Sequence, residues 1–183
     1  MLGALRAGVD GRLVIFVVTL LVAAGYRLVR TRGRRPTAIT TRTWEAYQQG
    51  LVWELARLEA DTKVIISAVA ERSVYAQFTR HADLLHAETV SNRFLRGALQ
   101  HSAEQEQRLA SAGWRPPDER NLNWWVDRPW LLSAADSQQL AALFVLALHE
   151  VLGIAQPQAL EYRAWNDATR KRVDLPGLHP AEQ

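Results

Sequence analysis

The sequence predicts an α+β fold: an antiparallel sheet covered by helices, preceded by one N-terminal hydrophobic helix. Three observations carry this. Segments with apolar residues three and four apart alternate with short β-branched or strictly alternating runs. Two of those runs, 64–69 and 74–78, are separated only by a short turn, which suits antiparallel neighbours and not parallel ones. The hydrophobic fraction of 48% is that of a chain able to build a core.

In order, Thr43 is a candidate N-cap, and Trp44, Tyr47, Leu51, Leu55 and Leu58 follow at helical spacing. Gly50 weakens that helix slightly. Val64 to Val69 and Val74 to Phe78 form a hairpin around Glu71-Arg72-Ser73. Segment 84–90 fits a strand or a helix and is read as a third strand running into a short helix over 92–99. Ser102 and Gln105 form a capping box, and the helix they open ends at Gly113. Pro116-Pro117 breaks the chain before a strand at 121–126. Ser133 and Asp136 start the longest helix, carrying Leu140, Phe144, Ala147 and Val151 and stopped by Gly153 and Pro157. Leu160, Tyr162 and Ala164 alternate in a last strand, and the polar tail from Asn166 is expected to be disordered. The order is α-β-β-β-α-β-α-β over a domain spanning 43–165.

Charge is divided unevenly. Residues 1–42 carry eight Arg and only Asp10, whereas 43–183 carry 14 basic and 18 acidic side chains. The body is therefore mildly acidic and poorly matched to nucleic acid, whose phosphates require a basic face. Segment 13–26 is an uncharged run of fourteen residues followed by Arg27, Arg30, Arg32, Arg34 and Arg35. As a helix it measures about 21 Å against roughly 30 Å of hydrocarbon, a marginal membrane span. Three readings compete: a signal peptide cleaved near Ala24, a misassigned start or core helix, and a signal anchor. Arginines just past a cleavage site oppose translocation, so the anchor is preferred, built on Leu13, Ile15, Phe16, Val18, Leu20 and Leu21. The arginine bias then expects a single-pass membrane protein with its body in the cytoplasm; with a misassigned start the body would be soluble and cytoplasmic. Residues 31–42 read as an Arg-rich linker, facing anionic lipid or merely setting topology.

Catalytic chemistry is not visible. The chain has no cysteine, which removes disulfides, thiol nucleophiles and thiolate metal ligands. His81, His86, His101, His149 and His179 lack ligand spacing, and His149-Glu150 lacks the second histidine of a zinc-protease helix. No phosphate-binding glycine loop or nucleophile elbow occurs, so no enzyme activity, cofactor or metal is expected.

Tryptophan stands out. Of seven, Trp114, Trp124, Trp125 and Trp130 fall in one short stretch and are the candidate peptide-binding residues. Adjacent strand residues point to opposite faces, so Trp124 and Trp125 cannot share one core layer. One is expected inside; the other lies under a helix or lines an apolar groove of the kind that binds peptides.

These residues also carry a family resemblance. Trp44, then Tyr75-Ala76-Gln77-Phe78, Ala87-Glu88-Thr89-Val90-Ser91-Asn92 with Phe94-Leu95, Gly113-Trp114-Arg115-Pro116-Pro117 and Asn123-Trp124 occur in order over about 120 residues. In this the body resembles the TY-Chap domain of actinobacterial proteins, grouped by fold with type III secretion chaperones. The resemblance implies a small α+β sandwich, often dimeric, that holds an extended segment of a protein or peptide client and has no catalytic residues. A membrane segment is foreign to that domain and favours docking at the membrane over mobile escort. The expected function is a membrane-tethered, non-catalytic peptide-binding module. The alternative is a homodimerising scaffold at the membrane without a client.

Overall fold

Six strands form one antiparallel sheet in the spatial order β1-β6-β2-β3-β4-β5 in the computed structural model, which describes residues 35–179. The strands are β1 (Thr37–Ala38), β2 (Thr62–Ala68), β3 (Tyr75–Arg80), β4 (Leu84–Thr89), β5 (Trp124–Pro129) and β6 (Leu160–Asn166). Three α-helices accompany them: α1 (Trp44–Ala56), α2 (Ala103–Ala112) and α3 (Ala134–Val145). The proposed anchor residues Leu13, Ile15, Phe16, Val18, Leu20 and Leu21 lie outside the described residues. Among the described residues, no helix is long and apolar enough to cross a membrane.

Alternation along each strand divides the sheet into two unlike faces. One face presents Val64, Ile66, Ala76, Phe78, Leu85, Ala87, Trp124, Val126, Tyr162 and Ala164 to the main core. Tyr47, Leu51 and Leu55 of α1, Leu109 of α2, and Leu140 and Phe144 of α3 fill that core from above. All three helices therefore share one side. The opposite face carries only a smaller cluster, in which Val90 and Leu95 pack with Ile65, Tyr75 and Trp165.

Local chemistry sets the helix ends. The Thr43 hydroxyl accepts the Ala46 N–H at 3.2 Å and starts α1. Both expected capping boxes form, Ser102 with Gln105 and Ser133 with Asp136. Gly113 closes α2 at φ 111°, a conformation that favours glycine. Past Val145 the last helix widens to π spacing over Leu146–Val151 before Gly153 ends it.

Four expectations are corrected. The short helix over 92–99 is reduced to a 3-10 turn, Gly97–Leu99. Here Asn92 spends its side chain on the backbone of His101, accepting its N–H and donating to its carbonyl, which competes with helix formation. The strand placed at 121–126 begins instead at Trp124, because the Asp118 carboxylate accepts the N–H groups of Arg120 and Asn121 and folds that stretch into a turn. The linker end is structured: β1 pairs with β6, and Ile39 and Thr41 are buried.

The fourth correction concerns the tail, whose residues up to His179 are folded. Leu175 and Leu178 are buried, and the 3-10 turn Pro176–Leu178 lies across α1. The Tyr162 hydroxyl donates to Asp174 at 2.8 Å and accepts the Leu175 N–H at 3.1 Å. Thr41 donates to the Leu178 carbonyl at 2.7 Å, and the buried Glu54 carboxylate accepts the Gly177 N–H at 2.6 Å. This crossing requires glycine twice. A Cβ on Gly50 would fall 1.9 Å from the Gly177 carbonyl oxygen, and one on Gly177 would fall 2.6 Å from the Gly50 oxygen.

Helix propensity alone says that Gly50→Ala should stabilise the protein by about 0.5–1 kcal/mol. The backbone collision reverses the sign, and we expect a loss of about 2 kcal/mol or more. Urea denaturation followed by tryptophan fluorescence decides between them, and an unchanged or raised midpoint would mean the tail does not cross α1.

Candidate functional site

The four candidate tryptophans separate into two pairs. Trp114 is 2% exposed and Trp124 is 5% exposed, and both belong to the main core beneath the helices. Neither has surface to offer a ligand. Trp125, one residue along β5, turns to the helix-free face and is half-buried, as is Trp130 beyond the strand end. The Arg115 guanidinium sits 4.6 Å from the centre of the Trp125 ring, and that of Arg80 sits 4.5 Å from the Trp130 ring. An aromatic face with an attached cation is thus held at each of the two remaining positions.

Around Trp125 the register builds a polar floor that single-strand reading could not reveal. Gln77 pairs with Glu88 across β3 and β4, Glu88 with Trp125 across β4 and β5, and His86 with Asp127 one step along. His86 Nδ1 lies 2.6 Å from Asp127 Oδ1, and its Nε2 lies 3.9 Å from Glu88 Oε1. Gln77 donates to the other Glu88 oxygen, and Asn123 donates to Oε1 at 3.4 Å while also meeting the Tyr75 hydroxyl at 3.0 Å. Glu88, Gln77, Tyr75 and Asn123 are all buried, so each partner satisfies a group that would be costly to leave unpaired.

Electrostatics follow from this packing. Burial works against a charge on His86, but the carboxylates of Glu88 and Asp127 on either side of its ring outweigh it and raise its pKa above the ordinary value of 6.5. Burial likewise opposes ionisation of Glu88, but His86, Gln77 and Lys63 together hold its carboxyl below the usual range. The arrangement can fix a charged floor beneath a ligand. Among the described residues, no three His, Cys, Asp or Glu side chains converge as a metal site.

The other histidines lie outside this array. His149 stacks on Trp44 with ring centres 5.0 Å apart, and His179 approaches the Tyr162 hydroxyl at 3.0 Å. His101 is buried with no hydrogen-bond partner on either ring nitrogen, and burial lowers its pKa. His81 is exposed. In the sequence alone, nothing sets His86 apart from these. Its signal was the two-residue spacing to Glu88 within one strand, matched by that of Trp125 and Asp127 in the next, but the register that joins them is a tertiary property.

A histidine whose pKa is raised by folding contributes stability below its unfolded value near 6.5 and loses it as pH rises through the folded value. The lowered Glu88 contributes above its unfolded value near 4.5 and loses that contribution as pH falls through the folded value. His86→Gln should therefore cost about 1–2 kcal/mol at pH 6 and distinctly less at pH 9. Urea titrations of both proteins at the two pH values measure this, and an equal cost at both would show that His86 carries no charge in the fold.

Residues 37–166, from the first strand to the end of the last, match the family TY-Chap3, described as T3SS (YopN, CesT) and YbjN peptide-binding chaperone 3. Comparison with curated proteins and with solved structures finds no significant match. The match spans well over half of the chain and agrees with the helix-backed sheet and with the ordered sequence motifs that carry the resemblance. The chain belongs to the TY-Chap3 family of non-catalytic, secretion-chaperone-like peptide-binding domains.

Proposed function

We propose that the chain is a membrane-tethered module, its folded domain on the cytoplasmic side, that holds an extended protein segment on the helix-free face of its sheet. Trp125 carries the choice of surface. It is the one member of the adjacent tryptophan pair that leaves the core, and it lies over a preorganised polar floor beside a cation. Rigid, half-buried aromatic surface of this kind dominates peptide recognition. Tethering is supported by the uncharged run at 13–26 and by the arginines that follow it.

The sheet edges favour a client on the face over one that adds a strand. Arg115 exchanges both backbone hydrogen bonds with Trp125, at 2.8 and 3.0 Å, and so occupies that part of the β5 edge. The Asp127 carbonyl accepts from Arg128 at 3.0 Å, and Pro129 has no N–H. The opposite edge is β1, only two residues long. Little backbone is left for strand addition.

A photo-reactive benzophenone amino acid placed at position 125 should cross-link a client in native membranes, while the same probe at exposed Gln139 on α3 should not. Equal labelling from both positions rejects this face, and a product of twice the chain mass from position 125 marks the homodimeric scaffold instead. Trp125→Ala should weaken the captured client's affinity about tenfold or more while the protein stays folded. Alkaline carbonate should leave the full-length protein in the membrane pellet; release into the supernatant would rule out a spanning segment.

A further inference from the structure

The folded body carries more acid than base, yet one exposed corner of it is basic. β6 ends at Asn166, and the chain then turns back through Arg170, Lys171 and Arg172, all three exposed. Asn166 holds this turn. Its carbonyl accepts the Arg170 N–H at 2.8 Å, and its side-chain oxygen accepts the Thr169 N–H at 2.8 Å. Arg172 then bridges Trp165, and the Val173 N–H donates to the Ala164 carbonyl at 3.1 Å, so the returning chain takes the outer edge of β6. β1 lies on that same edge. The Arg172 guanidinium donates to the Thr37 hydroxyl, and Thr37 stands two residues after exposed Arg35. The turn and the point where the arginine-rich stretch joins the domain are therefore one surface.

The acids of this corner are already engaged. Asp167 accepts the Trp165 indole N–H at 2.7 Å. Asp174 accepts the Tyr162 hydroxyl at 2.8 Å and has the His179 ring 3.2 Å away. Among the described residues, no carboxylate lies within 4.0 Å of Arg35, Arg170, Lys171 or Arg172. The turn supplies three of the 14 basic side chains in a body that carries 18 acidic ones.

Resting on the membrane tether of the proposed function, we propose that this corner docks the domain onto an anionic lipid surface. The uncharged run ends at residue 26, and the nine residues from there to Arg35 span at most about 32 Å. Of the whole domain, this corner has the shortest leash, so it meets the headgroups at the highest effective concentration. Each arginine or lysine near such a surface adds roughly a fivefold preference for it, while the acidic remainder of the body is repelled. Docking stands the sheet on its β1–β6 edge. β5 lies four strands away, about 19 Å, which carries Trp125 clear of the lipid.

The chain has no cysteine, so Ala168→Cys in the turn and Gln139→Cys on α3 each accept a single environment-sensitive fluorophore. Full-length protein is placed in nanodiscs of phosphatidylcholine, with and without phosphatidylserine. With phosphatidylserine, the label at 168 should shift to the blue and lose access to a water-soluble quencher, and high salt should reverse both changes. The label at 139 should read the same in both discs. Arg170→Gln combined with Lys171→Gln should weaken docking about 25-fold, two charges at fivefold each, whereas Arg170→Lys should preserve it. A label at 168 that reads the same in both discs, or an equal shift at 139, overturns the docking and leaves the tether standing. Protein that enters discs of neither composition overturns the tether and the docking together. A shift at 168 of the same size from soluble polyglutamate over phosphatidylcholine discs would assign the corner to an acidic protein and overturn the docking too.

Discussion

Strand alternation is the constraint on which the rest of this molecule depends. A strand has only two sides, and among the described residues all three α-helices are committed to one of them. That commitment gives neighbouring residues opposite duties. Trp124 is core material under the helices, while Trp125, with the identical side chain, stands on the opposite face. The same division repeats along β4, where Leu85 and Ala87 point inward and His86 and Glu88 point outward. Core and polar array are thus written into the same short segments, offset by one residue.

A charged floor on a sheet is stable only if its members answer one another. Glu88 is buried, and an isolated carboxylate there would take up a proton before tolerating the loss of water. The His86 ring, the Gln77 amide and the Asn123 amide replace that water, and Asp127 braces the imidazole from the other side. Such a network is rigid because moving one member strands the others. On the proposed peptide-holding face, rigidity would lower the ordering required at the moment of contact.

Much of this fold was legible in the sequence because its signals are local. Both serine capping boxes, the Thr43 cap, the glycine stop at Gly113, the β2–β3 hairpin and the alternation of β6 each rest on residues a few positions apart. The opposite facing of Trp124 and Trp125 was legible for the same reason. What failed was non-local or competitive. Asn92 and Asp118 turned their side chains onto the backbone and displaced a helix and a strand start. The tail looked polar because its two buried leucines, Leu175 and Leu178, are anchored by Thr41, Glu54 and Tyr162, all distant in sequence. The His86 array was hidden because it spans three strands whose register only the folded sheet fixes.

The contact between Gly50 and Gly177 extends beyond packing. Each glycine tolerates the other because neither has a side chain, so the two positions form a single steric unit. A lineage that acquired any side chain at position 50 would have to discard or reroute the strap that crosses it, and one that lost the strap would be free to fill the helix. The strap lies past residue 166, where the family match ends. A glycine in the middle of the first helix is therefore dictated by chain that lies beyond the last strand.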